Sequence, residues 1–394
     1  MKSPMTLGLC GFIALVATAL VPVRPQAAAD ETAAWNQKGA AAYLDQRSEW
    51  WSQWQGSARD HGTFCVSCHT AMPYMIARPV LRGALAEQGP SAPERRMLDH
   101  VVKRVRIWKD VEPWYPDQTR GLPKTSESRG TESILNALVL ASRDARAGSL
   151  GDDTRRAFEN MWALQFTRGD QAGSWAWLNF HYEPWEADGS RYYGAALAAV
   201  AIGIAPGGYA AGADAERMKL LREYLAQAAD KQHLFNRLTV LWASTTWASR
   251  AGGVGGAGKA GGEAGGSDGA GGSAILSAEQ QRAIIDEALK LQQADGGWSM
   301  TALGSWKRVD NTALDTRTDG YATGLIAYVL QGAGDPRARE PIARALAWLQ
   351  KNQDPAGLWV ASSLNKQRDP ASDAARFMSD AATAYAVLAL TNAK

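Results

Sequence analysis

Two cysteines and a histidine form the group of residues in this chain whose types and spacing predict a specific chemistry. They are Cys65, Cys68 and His69, in the segment 64–69, which reads FCVSCH. Two thiols at this spacing match the two vinyl groups of one porphyrin, and a histidine directly after them brings its imidazole to the iron. The motif predicts one covalently attached haem c, with His69 as the proximal iron ligand.

A redox disulfide and a zinc site are the alternative interpretations of the same spacing. The third cysteine of the chain, Cys10, lies in an N-terminal apolar run, so no further thiol remains for a zinc site. No βαβ pattern surrounds the motif, as a thioredoxin-like site requires. Both alternatives are therefore less favoured than haem.

The N-terminus has the pattern of a signal peptide over residues 1–29. Lys2 precedes an apolar run over residues 7–23, and the small residues Ala27 to Ala29 follow it. An uncleaved anchor is the alternative, but the run is shorter than the roughly 20 residues of a membrane span. A lipoprotein signal at Cys10 is weaker, because Cys10 lies inside the run. We expect an exported, periplasmic protein with no stable membrane span after cleavage.

Charge excludes one class of partner. Removing residues 1–29 takes away Lys2 and Arg24 and no acidic residue, which leaves 40 basic and 40 acidic residues. A balanced chain has no electrostatic attraction for nucleic acid or anionic lipid. The expected partners are a redox protein or a small apolar ligand, and no nucleic acid.

The rest of the chain is a repeat. Several of its 16 tryptophans end similar phrases, and the matching positions are 64, 56, 61, 66 and 58 residues apart. Each unit has one amphipathic helix, a turn containing Gln, Gly and Trp, and then a helix of small apolar residues. A period near 60 suits six helical hairpins. The repeat markers are Leu44, Trp108, Leu164, Leu225, Leu291 and Leu349.

The pattern predicts an all-α fold in which the second helices are buried. A single domain over residues 30–394 would hold six inner and six outer helices in a closed double ring, with the haem-bearing units in residues 30–154 and the clearest repeats in residues 155–394. Residues 251–274 contain 12 glycines and predict a flexible surface loop. The inner helices are expected to start near His69, Thr131, Arg191, Leu234, Asp319 and Met378.

The phrases at Gln165, Gln293 and Gln353 resemble the QW motifs of squalene-hopene cyclases, whose superfamily includes the β-subunits of protein prenyltransferases. The resemblance covers residues 155–394 well, and residues 30–154 only through the period. It implies an (α/α)6 toroid in which Gln and Trp join helix ends and the inner helices surround a pocket. It is uninformative about the reaction.

The residues that carry the chemistries of those families have no full match in this chain. The cyclases use an Asp-x-Asp-Asp acid motif, which is absent here, although Asp310, Asp315 and Asp319 precede the matching inner helix at other spacings. The prenyltransferases bind zinc through Asp, Cys and His, and this chain has no spare mature cysteine. The toroid is therefore expected to act as a scaffold for haem.

The repeat places His69 at the start of the first inner helix, on the rim where all six inner helices begin. Met72, Met75 and His61 belong to the same side of the iron as His69. We predict His181, which lies in a loop, as the distal iron ligand. The next candidates are His233, Met378 and Met300, and the residues expected to line the rim or hold propionates are Tyr192, Tyr193, Arg191, Arg237 and Tyr321.

Three functions follow from these observations. The first is a periplasmic redox protein that passes electrons or oxidises a ligand held in the toroid. The second is a haem-based binding or sensing protein without catalysis, in which the sixth iron position is open. The third is a terpenoid-cyclase-like enzyme whose acid is unrecognised.

Overall fold

The helices alternate along the sequence between amphipathic and buried. The computed structural model describes residues 35–251 and 274–393, besides Met1. The predicted leader lies outside the described residues apart from Met1, and so does the predicted glycine-rich loop apart from its two end residues. The α-helices are α1 (Gln37–Gln53), α2 (Ala71–Ala84), α3 (Ala92–Arg106), α4 (Asp117–Arg120), α5 (Lys124–Ala147), α6 (Asp152–Ala163), α7 (Ser190–Ile204), α8 (Tyr209–Gly212), α9 (Ala215–Ala228), α10 (Leu234–Ala251), α11 (Ala278–Lys290), α12 (Gly320–Ala333), α13 (Arg339–Lys351) and α14 (Phe377–Thr391).

Short elements complete the described chain. A hairpin of two-residue strands, β1 (Ala58–Arg59) and β2 (Thr63–Phe64), pairs antiparallel ahead of α2. The prediction of an all-α fold is confirmed, because strand is confined to this hairpin within the described residues. The 3₁₀ helices are Asp60–Gly62, Ala229–Lys231, Met300–Leu303, Pro336–Ala338 and Asp373–Arg376.

Six helices are buried along most of their length, and six others cover them. On α14 every residue from Met378 to Leu390 is buried, whereas α11 buries only Ile284, Ile285 and Ala288. This difference follows from composition, since α14 is rich in Ala and Leu and α11 alternates charged and apolar residues. The inner helices are α2, α5, α7, α10, α12 and α14, and the outer helices are α1, α3, α6, α9, α11 and α13.

The inner helices contact one another in a closed circuit. Each packs against the next in chain order, from α2 through α5, α7, α10 and α12 to α14, and α14 packs against α2. Outer helices pack on the inner ones, as α1 does on both α2 and α14. The described residues of the circuit belong to one compact unit. The first and last units of the chain are therefore neighbours.

The observed starts of the inner helices agree with the predicted ones except at α5. That helix begins at Lys124 rather than near Thr131. Its first turns are polar, with an ion pair of 2.6 Å between Lys124 and Glu127. A run of small apolar residues was the sequence signal for these helices, so the polar turns of α5 escaped it.

A glutamine links each of three units to the next. It lies two residues beyond an outer helix, and its Nε2 donates to the glycine carbonyl of its own turn and to a carbonyl at the start of the next outer helix. These bonds join Gln165 to Gly173 and Arg217, Gln292 to Gly296 and Pro341, and Gln353 to Gly357 and Asn36.

These contacts correct one assignment. The resemblance placed the repeat glutamine at Gln293, but Gln292 makes the equivalent bonds, and Gln293 donates to the Thr316 carbonyl instead. The bond of 3.0 Å from Gln353 to the carbonyl of Asn36 joins the sixth unit to the first, because Asn36 is the N-cap of α1.

The tryptophan and glycine of each turn have repeated roles as well. Each tryptophan is fully buried and donates from Nε1 to a carbonyl near the end of its own outer helix. Each glycine has a φ near +90°, a region that disfavours residues with a Cβ. At Gly357 a Cβ would lie 2.2 Å from the carbonyl carbon of Gly39. The tryptophans are Trp175, Trp298 and Trp359.

Among the described residues, no helix is long and apolar enough to cross a membrane.

Candidate functional site

The segment that carries the two cysteines is fixed between α1 and α2. The amide of Cys65 donates to the Ser57 carbonyl at 2.8 Å, and the Trp51 indole donates to the Cys65 carbonyl at 2.6 Å. The Ser67 hydroxyl then accepts from the amides of Thr70 and Ala71, at 3.2 and 3.0 Å, where α2 begins. The hairpin, the indole and this cap therefore fix the backbone on both sides of Cys68.

Both thiols are free and enclosed. Cys65 is 6% exposed and Cys68 is 3% exposed, and neither forms a disulfide. Burial raises the pKa of Cys65 to about 12 and raises that of Cys68 as well. In the described part of the chain, no group of three or more His, Cys, Asp and Glu side chains is arranged to hold a metal ion.

The imidazole of His69 is held by a relay that ends on α14. His69 Nδ1 lies 2.8 Å from Thr70 Oγ1, and the Thr70 hydroxyl donates to Asp380 Oδ2 at 2.6 Å. Because the only hydroxyl proton of Thr70 is directed at Asp380, its oxygen accepts from His69. Nδ1 therefore carries the ring proton, and Nε2 has the free lone pair that binds a metal.

Asp380 anchors this relay inside the protein. It accepts from the Tyr43 hydroxyl at 2.8 Å, and from Nε and Nη2 of Arg47 at 2.8 and 3.1 Å. Burial raises the pKa of Asp380, and the charge and hydrogen bonds of Arg47 act in the opposite direction. The two-pronged bond to a permanently charged guanidinium favours the ionised carboxylate.

The surroundings of His69 favour a neutral imidazole. Burial, together with the positive charges of Arg47 and Arg368, lowers the pKa of His69 to about 3. A neutral ring is the form that binds iron or another metal. At ordinary pH this histidine therefore keeps its Nε2 lone pair.

Aromatic rings surround the imidazole. Phe377 stacks on the ring at 3.9 Å between centroids, Trp51 meets it edge-on at 5.0 Å, and Trp185 lies 5.7 Å away. The lone pair of Nε2 lies in the plane of the ring, so stacking on the ring face does not block it. The enclosure orients the ring and lowers the local polarity.

These rings come from three parts of the chain. Trp51 lies in the last turn of α1, Phe377 begins α14, and Trp185 lies in the loop between α6 and α7. The Trp185 indole donates to the Tyr321 hydroxyl at 3.0 Å, which fixes the loop against α12. Only Thr70 adjoins the motif along the chain, so no local pattern indicated the three rings.

The donor set fits a c-type haem. Two free thiols lie on one fixed segment, the adjacent histidine has an available Nε2, and its Nδ1 has the hydrogen-bonded support that metal-ligating histidines have. The residues that would hold the group are Cys65, Cys68 and His69.

The predicted distal ligand does not contact His69. The His181 side chain is 78% exposed, and its Nδ1 lies 3.7 Å from Asp188. It belongs to the same loop as Trp185, four residues away, so the loop itself reaches the site. His181 as an iron ligand stays a prediction.

The other ligand candidates are spread around the inner helices. His233 lies 5.0 Å from Trp306, and its Nδ1 accepts from the Ser305 amide at 3.4 Å. Met378 is buried next to Phe377. Met300 is buried, and its amide donates to Asp319 at 2.6 Å.

Several rim residues already have partners of their own. The Tyr192 hydroxyl donates to the Leu225 carbonyl at 2.8 Å, and Arg237 pairs with Glu287. Tyr193 stacks on Phe235 at 5.3 Å, and the Arg191 guanidinium lies 5.8 Å from the Phe166 ring. Tyr321 is the rim residue that is linked to the surroundings of His69, through Trp185.

The acidic residues near α12 have structural contacts. Asp319 caps α12 by accepting from the amides of Tyr321 and Ala322, both at 2.9 Å. Asp315 pairs with Arg317, which lowers the pKa of this carboxyl to about 2. Asp310 accepts from the Thr312 hydroxyl at 2.7 Å. Asp315 and Asp319 also line a cavity of about 250 Å³, and burial raises the pKa of Asp319 to about 7.

Comparison with known proteins gives no family for this chain. No family model matches it, and no curated protein matches it. A solved structure described as a polysaccharide lyase aligns over 91% of this chain and 90% of its own, at 10% identity and a TM-score of 0.36. An alignment at that score supports no conclusion about this chain. The resemblances to cyclases and c-type cytochromes rest on their motifs alone.

Proposed function

We propose that this chain is an exported redox protein that carries one haem c, attached through Cys65 and Cys68 and bound at iron by His69. The observation that carries the proposal is the relay from His69 Nδ1 through Thr70 to Asp380, beside two free thiols. Bound haem supplies a one-electron iron couple.

The residues of the chain have distinct parts in this function. Cys65 and Cys68 hold the group by thioether bonds, and His69 Nε2 is the proximal ligand. Thr70 and Asp380 fix the tautomer and orientation of the imidazole and increase its basicity. Phe377, Trp51 and Trp185 exclude water from the ligand, and a drier surrounding tunes the potential of an iron couple.

Electron transfer is favoured over gas sensing by the rings that lead from His69 to solvent. Trp51 lies 5.0 Å from His69 and 5.4 Å from Trp54, and Trp54 is 41% exposed. Phe377 makes a second link, at 3.9 Å from His69 and 6.4 Å from Trp54. A short series of π-systems between a redox centre and the surface gives an electron a route to a partner protein.

We further propose that the closed circuit of inner helices is an α/α toroid used as a scaffold. The glutamine bonds between units support this, above all the one from Gln353 to Asn36 that links the last unit to the first. The loop around His181 and the rim starts of the inner helices would then surround the haem, and His181 is the proposed distal ligand. Export follows from the leader pattern.

Haem attachment is tested on the purified mature protein by denaturation and measurement of the pyridine haemochrome. We expect the pigment to stay with the wild-type chain. A protein with alanine at both Cys65 and Cys68 should lose it, and one with alanine at Cys68 alone should show the spectrum of a single thioether. A wild-type chain that releases all its pigment, or has none, would refute the proposal.

The redox and sensing hypotheses are separated by the absorption spectrum of the reduced protein with and without carbon monoxide. A six-coordinate spectrum that carbon monoxide leaves unchanged supports electron transfer. A five-coordinate spectrum that shifts at once supports a binding or sensing function.

A further inference from the structure

The loop that carries Trp185 reaches from one side of the helix circuit to the other. We refer to residues 179–189, between α6 and α7, as the strap. The strap belongs to the third hairpin of the chain, α6 with α7, whereas Asn365 precedes α14 in the sixth hairpin. Because six hairpins close the circuit, the third and the sixth lie opposite each other. A bond between them therefore spans the mouth of the circuit, where the inner helices begin.

Asn365 makes that bond at two points. Its Oδ1 accepts from the Glu183 amide at 2.6 Å, and its Nδ2 donates to the Glu183 carbonyl at 2.9 Å. A side-chain amide that bonds both groups of one residue fixes the direction of the chain as well as its position. The backbone of Asn365 is held separately, because its carbonyl accepts from the Val309 amide at 2.8 Å. Replacing the side chain should therefore release the strap and leave that backbone bond in place.

The tip of the strap is buried, although it lies in a loop. Pro184 and Trp185 are buried, whereas His181 on the same strap is exposed. The Trp185 indole donates to the Tyr321 hydroxyl at 3.0 Å, and its ring lies 5.7 Å from the His69 ring. The anchored residue comes two positions before Trp185, so the anchor holds the indole close to the imidazole.

We propose that Asn365 is a positioning residue for the His69 site. It anchors the strap across the mouth of the circuit, which keeps Trp185 beside the imidazole and keeps water away from it. The inference rests on the proposed function, because an effect on an iron centre requires the haem. The alternative is an anchor that stabilises a loop without acting on the site.

The test compares the mature wild-type protein with Asn365→Ala, and uses Asn352→Ala as the matched control. Asn352 belongs to the same hairpin, but its amide donates to the Trp348 carbonyl at the end of its own helix, at 2.8 Å. Asn365→Asp is the second variant. It retains an oxygen for the Glu183 amide and removes the donor to the Glu183 carbonyl, so the inference stays testable if Asn365→Ala does not fold.

The first measurement is hydrogen exchange of the strap, followed by mass spectrometry. The reporting amides are those of Phe180, Tyr182 and Glu186, whose bonds within the strap are 2.8, 2.9 and 2.8 Å long. Loss of two hydrogen bonds from the anchor should speed exchange at these amides about tenfold. We expect a smaller increase in Asn365→Asp and none in Asn352→Ala.

The second measurement is the reduction potential of the holoprotein, which an anchor without an effect on the site would leave unchanged. Water that reaches His69 favours the more highly charged ferric state, so the potential should fall. We expect Asn365→Ala to lower the reduction equilibrium constant about threefold, equivalent to about 28 mV for one electron. Asn352→Ala should keep the wild-type potential, and circular dichroism and haem content confirm that each variant is folded and loaded.

Three results would overturn the inference. Unchanged exchange in Asn365→Ala would show that the anchor does not hold the strap. Faster exchange with an unchanged potential would show that the anchor does not act on the site. Equal changes in Asn352→Ala would assign both effects to the sixth hairpin in general. A wild-type protein without haem refutes the proposed function, whereas a failure of this inference alone is seen in a protein that carries haem, so the two failures are distinguishable.

Discussion

Replacing Thr70 by valine isolates the relay that supports His69. The substitution preserves shape and removes the one hydroxyl between His69 Nδ1 and Asp380, bonds of 2.8 and 2.6 Å. The imidazole N–H then loses its acceptor inside the protein, and a buried donor without a partner costs about 1–3 kcal/mol. Asp380 keeps its bonds from Tyr43 and Arg47, so the loss is confined to one branch.

On the proposed function, the same substitution should change the reduction potential of the haem iron. A histidine whose N–H loses its acceptor is a poorer electron donor, and loss of such support typically costs 10–100-fold in metal affinity. Part of this loss of affinity weakens binding to ferric iron in particular, because ferric iron depends more than ferrous iron on a basic ligand. A tenfold preference for the ferrous state raises the reduction potential by about 59 mV. We expect Thr70→Val to raise the potential by this order of magnitude.

Redox titration and thermal unfolding measure the two effects, with Thr70→Ser as the control because it retains the hydroxyl. Thr70→Val should lower the melting temperature by several degrees. Each kcal/mol of lost stability lowers it by at most roughly 2–4 °C in a chain of this size. Thr70→Ser should follow the wild type in potential. Equal potentials for all three proteins would refute the effect of the relay on the iron. An equal shift in Thr70→Ser and Thr70→Val would show that the shift comes from packing and not from the hydroxyl.

Three further predictions follow from the geometry. His181→Ala should make the reduced protein bind carbon monoxide readily, and an unchanged spectrum would transfer the distal assignment to the other candidates. Burial raises the pKa of Glu186 to about 7, above its unfolded value, so the stability that it contributes is present below about pH 4.5 and is lost as the pH rises through 7. Between about pH 4.5 and 7, the free energy of unfolding should therefore fall less in Glu186→Gln than in the wild type. We expect a difference of about 1–2 kcal/mol, a discounted value because the side chain is partly solvated. Equal slopes for the two proteins would contradict this. Gly357→Ala should destabilise the fold by more than the roughly 1 kcal/mol of a simple glycine effect, since its Cβ would lie 2.2 Å from Gly39. In urea titrations, Gly334→Ala is the control, because it has positive φ but open space, and equal losses in the two variants would contradict the close approach.

Local sequence patterns predicted the helices because the type of each helix follows from the arrangement of apolar residues within it. The buried helix α14 is apolar on all sides, and α11 has an apolar stripe, so their types follow from composition. The exceptions have local causes. The first turns of α5 are polar, so they lacked the apolar pattern of an inner helix. Gln292 and Gln293 are adjacent, and the geometry of the helix end decides which of them bonds to the next unit.

The residues of the candidate site likewise divide into those with a local sequence signal and those without one. Cys65, Cys68 and His69 were predicted because haem attachment, as proposed, requires this spacing along the chain. The repeat register puts Asp380 at the start of the last inner helix, on the rim where His69 lies, but its bond to Thr70, 310 residues away, depends on how distant units meet. No sequence pattern indicated Phe377, Trp185 or Asn365, for the same reason. One signal was present at Thr70, a hydroxyl residue directly after the histidine.

Closure of the circuit has a consequence for how the group must be acquired. The relay and the rings around His69 exist only when α14, at the end of the chain, has packed against α1 and α2. In that state Cys65 and Cys68 are buried, and burial holds their thiols protonated. A porphyrin cannot reach enclosed thiols. On the proposed function, the thioether bonds would form while this segment is still open, and packing of the last unit would then bring Asp380 to Thr70 and orient the His69 imidazole.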